Sequence, residues 1–184
     1  MSGAEEQVVY QQLIFRLQEL SPQGRQWNLE IPEGLFGDAG FGEVDAPASL
    51  CKGVQWKGNV IAQGDFFGLQ GKWSTELVRH CVRCNSEFAL YMEGDCSRHF
   101  QLGVEPDADD AVECDSVAPP GSVNLLDLLR EELWLAWKPM VVCSEACKGL
   151  CQQCGGNLNR HECKCSQHGS DHPFAALKNI RFNS

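Results

Sequence analysis

Eleven cysteines in 184 residues are where this chain could do chemistry. They stand at 51, 81, 84, 96, 114, 143, 147, 151, 154, 163 and 165, so six fall between 143 and 165. The N-terminus, Met1-Ser-Gly-Ala-Glu-Glu-Gln, is acidic and lacks a basic-then-apolar leader, which argues for neither a secreted nor an integral membrane protein. Clustered cysteines outside an oxidising compartment point first to metal. Thiolates are soft ligands, and four of them close a tetrahedral zinc site.

Cys151-x2-Cys154-Gly155 reads as a knuckle, with a glycine able to take the left-handed backbone such turns need. Cys163-x-Cys165 follows after an eight-residue loop, and the four thiols make a complete local zinc site. Cys81-x2-Cys84 is half of another site, and Cys143 and Cys147 have no local partners. The economical pairing joins Cys81, Cys84, Cys143 and Cys147. The competing pairing sets Cys81 and Cys84 with Cys151 and Cys154. Cys51, Cys96 and Cys114 are left over as ordinary thiols.

Other readings of the cysteines are weaker. A disulfide framework needs an oxidising compartment. A thioredoxin-like role needs a helix start, whereas Cys81 and Cys84 sit in a hairpin turn. Cys143, Cys147 and Cys151 are four apart, but Gly149, Gly155 and Gly156 oppose a long helix. His80 and His161 lie near candidate ligands and could replace a cysteine; a solvent-facing role suits them better.

A four-thiolate site has no open position for water or substrate, so two structural zinc ions and a non-enzymatic protein are expected. Residues 143–184 hold few large apolar side chains, chiefly Leu150, Leu158, Phe174, Leu177, Ile180 and Phe182. Structural zinc supplies an apparent ~10–16 kcal/mol, comparable to the net stability of about 5–15 kcal/mol of a whole domain. No Ser/His/Asp order, phosphate loop or HExxH helix is present.

The elements that position these thiols read as α+β: an antiparallel β-sheet or partial barrel, a packed helix and a small C-terminal cysteine-rich zinc module. Residues 1–50 are poorly defined, with a partial helical pattern over 7–20 and glycines at 34, 37, 40 and 42. Residues 51–142 hold the strands, an acidic linker and the helix. Alternating apolar residues over 53–102 flank the Cys81–Cys84 turn. Residues 103–121 are acidic and rich in breakers, a solvated linker. Residues 124–137 form the clearest helix: Asn124 caps it, Asp127 is three on, Leu125, Leu129, Leu133 and Trp137 line one face, and Pro139 ends it. Residues 143–184 are the zinc module and tail.

The net charge of −10 argues against an indiscriminate nucleic-acid binder. Residues 143–184 differ: Lys148, Arg160, Lys164, Lys178 and Arg181 stand against Glu145, Glu162 and Asp171, a balance of +2. Lys148, Arg160 and Lys164 are the candidate contacts to RNA or a protein partner. No membrane span and no small-molecule substrate are expected.

Cys81-Val-Arg-Cys84, the Leu-rich acidic helix ending near Pro139, and Cys147-Lys-Gly-Leu-Cys151-x2-Cys154-Gly-x-Asn157-Leu158-Asn159-x3-Cys163-x-Cys165 together resemble the YceD family, the large ribosomal RNA subunit accumulation proteins. Asp171-His-Pro-Phe-Ala-Ala-Leu177 resembles that family's ending. The resemblance covers roughly residues 50–184. It implies a role in accumulation or processing of large-subunit ribosomal RNA, hence in ribosome assembly; a cytoplasmic location is expected. The implied partner is that RNA or a pre-ribosomal particle, reached in some cases through a ribosomal protein. The alternative is a redox-responsive zinc chaperone or sensor, since Cys-x-Cys with Cys-x2-Cys also occurs in zinc switches. A magnesium nuclease built on the acidic run at 105–115 is the weakest reading.

Overall fold

The computed structural model describes residues 3–36, 49–50, 52–64, 66–103, 114–119 and 121–165. In chain order the elements are α1 (Gly3–Leu13), β1 (Ile14–Arg16), β2 (Arg25–Ile31), α2 (Glu33–Phe36), β3 (Ser49–Leu50) and β4 (Val54–Gln63). There follow β5 (Phe66–His80), β6 (Glu87–Leu102), β7 (Asp115–Val117), β8 (Ser122–Asn124) and α3 (Leu125–Leu135).

One sheet runs β2-β4-β5-β6-β7, and β3 pairs with β5 beyond the start of β4. All its pairings are antiparallel except β6 with β7. Its centre is the long β5–β6 hairpin, in register from Phe66 opposite Gln101 to His80 opposite Glu87. Alternation puts Trp56, Val60, Leu69, Trp73 and Phe100 on the buried face. Trp56 and Trp73 are cross-strand partners, and the space they need comes from missing side chains. A Cβ on Gly71 would lie 2.3 Å from the Trp56 ring, and one on Gly94 would lie 2.7 Å from the Trp73 ring.

Helix α3 covers that face with Leu125, Leu126, Leu129 and Leu133, all buried. The Asn124 side chain accepts from Leu126 N at 3.1 Å and donates to Asp127 Oδ2 at 2.8 Å, so cap and first turn hold each other. Arg98 on β6 reaches up to Glu132 at 2.8 Å, locking helix to sheet.

The N-terminal segment departs most from the sequence reading. The helical pattern over 7–20 gives way after Leu13, because Ile14, Phe15 and Arg16 pair with Asn124, Val123 and Ser122. Phe15 then packs against Trp27, ring centres 5.2 Å apart. Strand β2 pairs with β4 along its whole length and belongs to the same sheet. Leu13, Phe15, Leu17, Trp27, Ile31 and Phe36 all enter the one core. Non-local pairing overrides local propensity here. The acidic stretch likewise contains a strand, since β7 lies parallel to the end of β6. Its residues Glu105, Asp107, Asp109, Asp110 and Glu113 lie outside the described residues, as do Cys51, His168, Lys178, Arg181 and the 171–177 tail motif.

Candidate metal centres

The site begins at the tip of the β5–β6 hairpin. In place of a two-residue turn, Cys81–Ser86 close a knuckle: Cys81 N donates to Ser86 O at 2.9 Å and Asn85 N to Cys81 O at 2.8 Å. Asn85 takes the left-handed backbone at φ 54°, which its short polar side chain tolerates. Arg83 N points at Cys81 Sγ, 3.4 Å away.

Residues 151–156 repeat this turn bond for bond. Cys151 N donates to Gly156 O at 2.8 Å and Gly155 N to Cys151 O at 2.9 Å. Gly155 is left-handed at φ 70°, and Gln153 N lies 3.5 Å from Cys151 Sγ. The described residues therefore hold two copies of one thiol-presenting turn, one with glycine at the left-handed position and one with asparagine.

The segment after α3 brings the remaining thiols to the hairpin tip. Buried Arg79 on β5 stacks on Trp137 at 3.7 Å and donates to the carbonyls of Lys138 and Pro139 at 3.0 and 3.2 Å. Burial lowers its pKa from the ordinary arginine value. Val82 N then donates to Val141 O at 3.0 Å, and Arg83 Nη1 reaches the carbonyls of Glu145 and Cys147. Cys143 and Cys147 arrive beside Cys81 and Cys84.

Among the described residues two clusters result: Cys81, Cys84, Cys143 and Cys147, and Cys151, Cys154, Cys163 and Cys165. In each, the four sulfurs lie within 4.8 Å of one another and could hold a metal ion. The pairing of Cys81 and Cys84 with Cys151 and Cys154 is not the arrangement observed. The donor set fits a tetrahedral ion. Metal–sulfur bonds of about 2.3 Å imply tetrahedron edges of roughly 3.8 Å. Cys81–Cys147, Cys84–Cys143 and Cys154–Cys163 each stand at 3.7 Å, while Cys151–Cys163 is tighter at 3.3 Å. These are free thiols, not disulfides.

The electrostatics call for a cation. Burial works to raise the Cys81 pKa, but backbone N–H groups from Cys143, Cys84 and Arg83 outweigh it and bring the thiol to about 6. Cys143 beside it is pushed up to about 12, by desolvation of its sulfur and then by Cys147, Cys84 and Cys81. The second cluster repeats the conflict. Backbone N–H groups of Cys154 and Gln153 lower Cys151 to about 6, and the thiols of Cys163 and Cys154 push Cys165 up to about 12. In the first cluster Cys84 is lowered as well, by hydrogen bonds to Ser86, so each cluster sets thiols that favour the thiolate beside thiols that oppose it, a repulsion that a bound cation would relieve.

The clusters differ in setting. Cys81, Cys84 and Cys147 form a small buried core with Phe88 and Val142 packed on it. In the second cluster Cys154 and Cys165 are exposed and the other two half-buried. Lys148, Arg160 and Lys164 are all exposed around these clusters. The main chain of Lys148 lies beside Asn159, the neighbour of Arg160 in sequence, because Lys148 N donates to the Asn159 side chain at 2.8 Å. Lys164 lines a separate cavity of about 420 Å³ against the second cluster, with His161 and Leu158. Cys96 is buried under α3, where burial and Glu132 push its thiol to about 12, and it belongs to neither cluster.

Residues that the cysteine pattern did not reveal also build the site. Arg79 carries no signal in the sequence, and Arg83 only fills the spacer between Cys81 and Cys84. Ser86 and Asn85 had no motif. Asn157 and Asn159 did carry a signal, standing between the last two cysteine pairs in the motif that bears the resemblance.

Comparison with known proteins agrees with that motif. The profile of the family described as "Large ribosomal RNA subunit accumulation protein YceD" matches residues 69–181. An Arabidopsis thaliana protein called "Large ribosomal RNA subunit accumulation protein YCED homolog 1, chloroplastic" is 35% identical over 60 residues. That stretch is 33% of this chain and 17% of that protein, so the match spans under a fifth of the relative's length. No solved structure matches the chain at a significant level. No helix among the described residues is long and apolar enough to cross a membrane. The chain belongs to the YceD family.

Proposed function

We propose that this member of the YceD family is a non-enzymatic, zinc-binding factor supporting accumulation or processing of large-subunit ribosomal RNA, and so ribosome assembly in the cytoplasm. The observation that carries the mechanism is the closure of both four-thiol clusters. Cys81, Cys84, Cys143 and Cys147 would hold one zinc ion, and Cys151, Cys154, Cys163 and Cys165 a second. With all four positions taken by sulfur, the ions supply fold rather than chemistry.

The residues then have distinct tasks. The first cluster fastens the segment after α3 to the hairpin tip. The second folds a loop with little apolar core of its own. Lys148, Arg160 and Lys164 stand on the outside of this unit, where they would meet phosphate or an acidic partner surface. The family's printed description supports the ribosomal role; the immediate partner is large-subunit RNA, a pre-ribosomal particle or a protein bound to it. The test is migration of the tagged chain in a ribosome gradient at low and moderate salt, with each fraction probed for precursor large-subunit RNA. Co-migration with immature large-subunit particles is expected. Protein confined to the top of the gradient at both salts would count against a direct role.

A second reading, a redox-responsive zinc chaperone, draws on the exposure of the second cluster. Peroxide-driven zinc release accompanied by a gain of holdase activity supports it; zinc held through the treatment removes it.

A further inference from the structure

One side chain reaches from the loop of the second cluster to a thiol of the first. Asn159 sits in the loop of the second cluster, between Cys154 and Cys163. Its amide Nδ2 donates to Cys147 Sγ, a thiol of the first cluster, at 3.4 Å. Its Oδ1 accepts from Lys148 N at 2.8 Å, and Nδ2 also donates to Asn157 Oδ1 at 3.0 Å. With the oxygen engaged by a main-chain donor, the amide orientation is set and the N–H faces the sulfur.

Other contacts cross the same boundary. Asn157 Nδ2 donates to Ser86 Oγ at 3.0 Å, within the first knuckle. Leu158 N donates to Gly149 O at 3.0 Å, and Leu150 bridges to Asn157. Gly149 lies so close to the first knuckle that a Cβ would stand 3.1 Å from Arg83 O. The loop that must order for the second cluster to form is therefore the loop that delivers a donor to the first.

We propose that Asn159 is a positioning residue that couples the two metal centres into one unit. An N–H directed at a metal-bound thiolate disperses its charge and holds its sulfur in place, and removing such partners typically costs 10–100-fold in metal affinity. Coupling between two binding events is reciprocal, so whatever empties the second centre also loosens the first. The inference rests on the reading of both clusters as metal sites.

The experiment uses the full chain loaded with zinc and challenged with excess chelator. Native mass spectrometry counts the ions with time, and alkylation mapping shows which cysteines are freed. Asn159→Asp keeps the shape and the acceptor for Lys148 N but replaces the donor with a negative charge against Cys147. It should speed release from the first cluster by about tenfold or more, although every cysteine is intact. Asn159→Ala should do so less. Cys151→Ser/Cys154→Ser should retain one ion, at Cys81, Cys84, Cys143 and Cys147, and release it faster than wild type does. Release from the first cluster at the wild-type rate in both Asn159→Asp and the double serine variant would overturn the coupling while leaving the metal reading intact. A wild-type chain that binds no zinc would instead overturn the metal reading, and the coupling with it.

Discussion

The guanidinium of Arg79 lies 3.7 Å from the ring centre of Trp137, and both groups belong to the path that carries Cys143 to the hairpin. Arg79 is buried and directs Nη2 to the carbonyls of Lys138 and Pro139. A planar cation thus gathers three successive residues of the segment leaving α3. The chain turns back onto β5 there, and Val82 takes up the next hydrogen bond, to Val141.

Arg79→Ala removes the stack and both charged hydrogen bonds. A desolvated cation–π contact is worth about 2 kcal/mol and a charged hydrogen bond about 1.5–3 kcal/mol; the three contacts share one guanidinium and are not additive, so a loss below their simple sum of about 5–8 kcal/mol is expected. Arg79→Lys should not restore it, because an ammonium lacks the flat fork that meets ring and carbonyls together. Chemical denaturation of the three proteins, with zinc retention measured alongside, checks this. Equal stability of the lysine variant and wild type would show that charge alone suffices.

If the two clusters hold zinc as proposed, its removal should melt the tip and the 143–165 module while leaving the sheet. The amides of Cys81, Asn85, Cys151 and Gly155, all bonded within the two knuckles, should lose hydrogen-exchange protection, and those of the β4–β5 ladder should keep it. Acid should act in the same direction. A thiol with a depressed folded pKa stabilises above its ordinary range and loses that contribution as pH falls through the folded value. Backbone N–H groups draw Cys81 and Cys151 down to about 6 before any ion binds, and a bound ion holds its thiolates deprotonated further, so zinc retention and knuckle protection should fall as acid protonates them at a pH below 6.

The repeated turn predicts matched effects of backbone substitutions. Gly155→Ala meets no atom within 4 Å, so it should cost only the left-handed penalty, about 1–2 kcal/mol. Asn85→Gly should be close to neutral and Asn85→Val clearly destabilising. Gly149→Ala should be worse than Gly155→Ala, since it adds a close approach to Arg83 O at φ 77°. Thermal unfolding of the zinc-loaded variants ranks them, and a neutral Gly149→Ala would refute the packing argument.

Charge reversal at Lys148, Arg160 and Lys164 should leave the fold intact, because all three side chains are exposed; zinc content is measured alongside, because Lys148 follows Cys147 and Lys164 lies between Cys163 and Cys165. If they meet RNA phosphate, the triple variant should leave the large-subunit fractions at moderate salt before wild type does, with a smaller salt slope. Unchanged migration would exclude this surface.

Much of the site was legible because metal chemistry is local in sequence. Two thiols must be close along the chain to share a turn, so Cys81 with Cys84, Cys151 with Cys154 and Cys163 with Cys165 show in the spacing. The long hairpin and α3 were legible for a similar reason: alternation and four-residue spacing each report a single face. Asn124 as cap follows from the same local logic.

The joining of distant pieces was settled only by tertiary structure. Cys81 and Cys143 are 62 positions apart, and nothing local chooses between Cys143 and Cys151 as partner to the first knuckle. The choice is made by Arg79 on Trp137 and by Val82 on Val141, contacts between a strand and a loop with no sequence signature. Likewise β2 joins β4, and Phe15 meets Trp27, because an exposed sheet edge and a large apolar face must be covered. Asn159 stands in the motif that bears the resemblance, but its contact shows only once the fold sets its amide against a sulfur of the other cluster. By itself, then, the sequence determined that the thiols come in pairs and which segments are strand or helix, because those properties live within a few bonds of each residue. Which pairs share a centre, and how the two centres touch, depends on burial and hydrogen bonding between segments that only the folded chain brings together.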